Sequence, residues 1–181
     1  MATKNKGFSL IELLIVVAII LIIASIAVPS LIRAKIAANQ ASAVASLRTL
    51  NTSSAGYANT YQDGYPGSLA VLGPPASGNP TCNTAGLIDN VLAAASAAPG
   101  KSGYTFAWQT GASQVSGVSI PAGCNAGGYT DMFAVAASPI GFPTGTTYYC
   151  VDATGVIRES NATIATTTAG CPTTAEPIAN N

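Results

Sequence analysis

From Phe8 to Val28 the chain is apolar at every position except Ser9, Glu12 and Ser25. At ~1.5 Å per residue such a run is about 30 Å long as a helix, enough to cross the hydrocarbon core of a bilayer. It has no polar face, so it must sit in lipid or among other helices. Lys4 and Lys6 precede it with no acid beside them and predict a leader held in the cytoplasm, the rest being exported. Arg33 and Lys35, just beyond the run, count against a strict form of that rule. An ordinary secretory signal has a shorter apolar stretch ending at a small-residue cleavage site. A plain single-span anchor accounts for the length but not for the acid.

Glu12 is therefore the residue to explain. A carboxylate well inside a spanning helix costs about 2.5–3.5 kcal/mol, less near the interface, and such groups normally have a partner. Cutting the chain between Gly7 and Phe8 would create an amino group one helical turn before Glu12. That amine could meet the carboxylate of its own chain or of a neighbour. Repeated between subunits, the pairing would fix axial register while apolar surfaces supply most of the contact.

Gly7-Phe8-Ser9-Leu10-Ile11-Glu12-Leu13, continued by Leu14-Ile15-Val16-Val17-Ala18-Ile19-Ile20 and then Pro29, resembles the N-terminal signature of type IV prepilins and the related pseudopilins. The resemblance covers about the first third of the chain. It implies that an inner-membrane prepilin peptidase cuts after Gly7 and methylates Phe8, and that Glu12 is the assembly carboxylate. Ser9 stands where many members carry threonine. Implied partners are identical or related pilin subunits, the inner-membrane assembly machinery and, before assembly, membrane lipid. The implied route is from a single-pass inner-membrane precursor to an extracellular filament.

Pro29 removes the helical partner of the Ser25 carbonyl, so a kink is expected there, or local melting where neighbours do not hold the helix. Beyond it, Ile36, Ala43, Leu47, Leu50, Ser54, Tyr57 and Tyr61 recur at helical spacing and predict a packed face. This divides the chain into a leader (1–7), an apolar helix (8–29), an amphipathic continuation (30–61) and a head (62–181). Within the head, turn-rich residues 62–103 form a variable loop with one short helix predicted from Ala85 to Ala95, Thr84 capping it. Residues 104–159 alternate as strands, with a hairpin at Asp152-Ala153-Thr154-Gly155. The tail 160–181 reads as an exposed loop tied back by Cys171. The expected class is α+β, a long helix packed on an antiparallel sheet of three or four strands, as in the pilin head.

Four cysteines, Cys82, Cys124, Cys150 and Cys171, lie outside the apolar run and far from one another, unlike zinc ligands. They predict two disulfides formed outside the cytoplasm. Three connectivities are open, and local loop closure favours Cys82–Cys124 with Cys150–Cys171. The chain has no histidine, and its acids are scattered, so no catalytic constellation, cofactor or metal is assigned. A calcium site at Asp131 or Asp152 would lack any calcium-loop spacing. Charged residues are 8% of the chain and the net charge is zero, so no nucleic-acid partner is expected. The expected function is a structural, non-enzymatic filament subunit. The alternatives are a pseudopilin of a type II secretion system and a membrane-anchored binding protein that never polymerises.

Overall fold

The computed structural model describes residues 7–62, 64–111, 124 and 130–178. Lys4 and Lys6 of the leader, the turn residue Asp63 and the end of the tail lie outside them. The chain forms two compact units, Met1–Lys35 and Ile36–Asn181.

Helix α1 runs from Leu10 to Tyr61, 52 residues with Pro29 inside it. Pro29 thus does not end the helix: a single missing donor is outweighed by alanine, leucine and isoleucine on either side, which keep the helical conformation. In the second unit, the part of α1 beyond Ile36 buries Ala43, Ser46, Leu47, Leu50, Ser54 and Tyr57, one stripe at helical spacing. Ser54 lies on this apolar stripe without penalty, because its hydroxyl donates to the Leu50 carbonyl at 2.7 Å. Tyr57 carries its hydroxyl through the core to the Cys82 carbonyl, also at 2.7 Å.

The stripe shares one core with a five-stranded antiparallel meander: β1 (Tyr104–Thr110), β2 (Phe133–Pro139), β3 (Tyr148–Asp152), β4 (Arg158–Ser160) and β5 (Glu176–Pro177), in spatial order β1-β2-β3-β4-β5. In β1, alternation turns Tyr104 and Phe106 fully inward, with Trp108 half-buried and stacked on Phe133 at a centroid distance of 5.2 Å. Register sets Phe106 opposite Ala137 and Trp108 opposite Val135, which is itself opposite Val151. Large side chains of β1 therefore face smaller ones of β2 across the pair, as close packing of a layer favours.

Three features depart from expectation. The predicted helix at 85–95 shrinks to α2, Asn90–Ala93, capped by Asp89 rather than Thr84. Residues 85–88 are claimed by backbone bonds to Val71, Leu72 and Gly73, and Gly86 takes a φ of +65°, which breaks any helix passing through it. Asp89 accepts from Leu92 N–H at 2.9 Å and pairs with Lys101 at 3.0 Å, so its carboxyl is held below the usual range, first by that backbone bond and then by Lys101. Leu69–Leu72 forms a 3-10 turn that no periodicity announced. The tail is not merely an exposed loop. Glu176–Pro177 adds the fifth strand, and Ile164, Cys171 and Ala175 bury themselves with Cys150 in a second, smaller core.

Tyr104 joins helix, sheet and loop. It is fully buried, its hydroxyl donates to the Thr147 carbonyl at 2.9 Å, and its ring lies 6.2 Å from that of Tyr149. Burial, with Tyr149 nearby, pushes its pKa up to about 12, and burial raises Tyr149 as well. A raised pKa disfavours the phenolate in the fold, so this stabilisation is complete below pH ~10 and is lost as pH climbs toward about 12. Tyr104→Phe should cost about 1 kcal/mol at neutral pH through the lost hydrogen bond. It should also flatten the alkaline fall in stability, leaving only the share due to Tyr149. Urea unfolding followed at several pH values between neutral and strongly alkaline measures both effects.

Candidate functional site

The first unit holds the residues singled out in the sequence. Gly7, Phe8 and Ser9 precede α1, and the Ser9 carbonyl accepts from Glu12 N–H at 3.1 Å and Leu13 N–H at 3.2 Å, opening the helix. Glu12 thus occupies the first turn, where the exposed N–H groups and the helix dipole favour a negative charge. No ion pair reaches it among the described residues. The side chains around it are open: Phe8 is 77% exposed and Leu10 81%, and the apolar residues up to Leu31 share this exposure. By length and composition α1 qualifies as a membrane-crossing helix.

Gly7 has no structural reason to be glycine. A Cβ built there meets nothing within 4 Å, and its backbone is not in the left-handed region. The fold of this chain would accept other residues at that position. A family model described as the prokaryotic N-terminal methylation motif matches residues 2–28. With the long apolar helix, this N-terminal motif is consistent with a type IV prepilin-like protein. The motif implies processing by a prepilin peptidase, and with the apolar helix it fits a membrane-anchored precursor. No curated protein and no solved structure matches the chain.

The head of this prepilin-like chain is closed by its cysteines. Cys82 is bonded to Cys124 and Cys150 to Cys171. The first tie joins the variable loop to a segment between β1 and β2; the second pins the tail onto β3. Asp152, which the sequence places at the start of a hairpin turn, also organises the second tie. It is 7% exposed, and its Oδ1 accepts from Thr154 N–H at 3.0 Å and from the Thr154 hydroxyl at 2.5 Å. Its Oδ2 accepts from Cys171 N–H at 3.0 Å. Gly170 lets the carboxylate come so close, since a Cβ there would lie 2.8 Å from Oδ2. The Asp-x-Thr-Gly turn foreshadows the first pair of bonds; nothing local foreshadows the third, which spans the tail.

These donors occupy both oxygens of Asp152, and Asp131 lies apart from it on the chain. Among the described residues no three His, Cys, Asp or Glu side chains gather into a metal-binding group. Glu159 and Glu176 face each other across β4 and β5 and line a polar cleft with Thr147, Ser160, Asn161 and Thr174. Two like charges at that spacing slightly oppose strand pairing. Tyr57, Tyr61 and Tyr65 belong to the packed interior or its margin, with Tyr57 and Tyr61 4.9 Å apart and Tyr65 4.9 Å from Phe133.

Asp152→Ala should lower head stability by about 2–4 kcal/mol, because it strands two backbone N–H groups and a hydroxyl in or near the interior. Asp152→Asn keeps an acceptor and should lose less. Denaturant unfolding read from Trp108 fluorescence distinguishes the two, with disulfide formation checked by mass.

Proposed function

We propose that this chain is a structural, non-enzymatic subunit that polymerises into an extracellular helical filament after cleavage behind Gly7 and N-methylation of Phe8. Glu12 carries the proposal. It is a carboxylate in the first turn of a helix whose surroundings are apolar, and it has no cationic partner among the described residues. The helix dipole offsets part of its burial in lipid, typically about 0.3–1 kcal/mol, against an insertion penalty of about 2.5–3.5 kcal/mol. The dipole alone is too small. Cleavage supplies the missing cation one turn away, and the amine of a neighbouring subunit serves as well as the chain's own.

Gly7 supports the same reading from the other side. Among the described residues the fold sets no steric limit at Gly7, so a glycine there fits a residue read by a peptidase rather than one the fold demands. The apolar surface does not oppose transfer, because lipid tails and leucine side chains are similarly apolar and packing decides between them. Identical subunits meeting through one shared patch of helix and a different patch of the neighbour make head-to-tail, non-closing contacts, which extend into a filament. Pro29 leaves the Ser25 carbonyl unpaired within the helix and gives the segment one place to adjust as neighbours pack.

The long Gly/Pro-rich loop of the head, taken with the two disulfides, favours a filament exposed outside the cell over the short periplasmic filament of a secretion pseudopilin; the disulfides alone fit either, since the periplasm is oxidising too. Electron microscopy of filaments sheared from intact cells separates the two. Glu12→Ala should leave membrane insertion intact, or improve it slightly, while abolishing filaments. Gly7→Leu should leave uncleaved precursor in the membrane, seen as an intact leader by mass spectrometry. Normal filament yield from either variant would remove the assembly argument.

A further inference from the structure

We infer that the turn Gly141–Thr144 is a membrane-contacting element: while the chain is anchored, Phe142, with Ile140 beside it, enters the lipid headgroup layer. Phe142 is 80% exposed and Ile140 45% exposed, and neither belongs to the core clusters of the head. The exposure is not that of a loose loop. Thr144 N–H closes the turn on the Gly141 carbonyl at 2.7 Å, and Ile140 N–H donates to the Gly103 carbonyl at 3.0 Å. The Thr144 carbonyl accepts from Asn39 Nδ2 at 2.8 Å, which fixes the turn to α1.

Asn39 follows Lys35 by no more than ~6 Å of helix. Arg33 and Lys35 come directly after Leu31, which ends the exposed apolar run, and make no ion pair among the described residues. Cations in that position reach for lipid headgroups. The headgroup layer is about 5–7 Å thick on each side of the hydrocarbon core, so Asn39 is held at its outer edge. An aromatic ring tethered there lies within reach of the layer in which aromatic side chains concentrate. The occupant is lipid rather than a second copy, because this short covalent path continues from the membrane-crossing segment itself.

The inference rests on the membrane-anchored stage of the reading above, not on polymerisation. The test uses the full chain in two sets of phosphatidylcholine vesicles, one with bromine on the acyl chains near the headgroup, read for Phe142→Trp and Val156→Trp, and one with bromine near the chain ends at the bilayer midplane, read for Ile20→Trp. Phe142→Trp, Val156→Trp and Ile20→Trp are compared, with the quenching of Trp108 in the parent chain subtracted. Val156 is the control on the head: it follows Gly155, whose Cβ position lies 3.2 Å from Asn51 Nδ2, ~18 Å of helix beyond Asn39. Phe142→Trp and Ile20→Trp should each lose at least half their emission to the bromines, and Val156→Trp should lose none. Quenching of Ile20→Trp without that of Phe142→Trp overturns the inference and leaves the membrane stage standing. A blue-shifted but unquenched Phe142→Trp, covered by a second copy, also overturns it. Failure of Ile20→Trp to quench removes the membrane stage and the inference with it.

Discussion

An apolar helical segment left exposed by the described residues of its own chain is the constraint on which everything else in this molecule depends. The residues from Phe8 to Leu31 contribute nothing to the core of the head, which closes without them. Surface of this kind, at about 25 cal/mol for each Å² exposed, cannot be left in water. A second environment is obligatory, either lipid or other helices. The head has the opposite character. It covers its stripe of Leu47, Leu50 and Tyr57 with a sheet of its own and covers the outer face of that sheet around Cys150 with the tail. The two units therefore have separate energetic requirements, and only one of them is met within the chain.

The sealed head explains the scarcity of charge. With 8% charged residues, solubility and order must come from somewhere other than a salted surface. Here the turns are held by backbone bonds, by hydroxyls and by two covalent ties. Asp152 shows the economy of the arrangement, since a single carboxylate closes the hairpin between β3 and β4 and receives the N–H of Cys171. The disulfide then holds the tail in register with β3, whose Cys150 is fully buried. An even number of cysteines in an exported chain is consistent with that dependence.

Much of this was legible in advance where a single periodicity ruled a long stretch. The stripe from Ala43 to Tyr57 and the alternation of Tyr104, Phe106 and Trp108 each follow from one rule applied many times. The five-stranded order extends the expected three or four strands by one, because Glu176–Pro177 pairs only through contacts brought by the distant Cys171 tie. Helix α2 failed for a related reason. Leu87, Ile88, Val91 and Leu92 have helical spacing, yet Leu87 is 39% and Val91 59% exposed, and backbone bonds to residues 71–73 take the first turn away. Tertiary hydrogen bonding overrode the local pattern. At the N-terminus the motif was readable from residue types alone, but the freedom of Gly7 from any steric demand is visible only in three dimensions.

That freedom bears on how the sequence divides its obligations. In the head, glycines answer to the fold: a Cβ at Gly145 would collide with the Tyr104 hydroxyl, and one at Gly170 would press on Asp152. At Gly7 no such neighbour exists among the described residues, and at Glu12 the helix dipole offsets only part of the penalty of burial. These two features, five positions apart, are ones that the chain's own stability does not require, and the proposed processing and assembly would account for both. A cut behind Gly7 would need a small residue there, and the amine it would release is the charge that Glu12 lacks. Burial of the apolar surface gives the assembly its strength without specifying a register, since isoleucine and leucine pack acceptably at many offsets. In the proposed filament a single charge pair per subunit would supply the register, because every misaligned offset would leave a carboxylate and an ammonium apart in a medium of low dielectric.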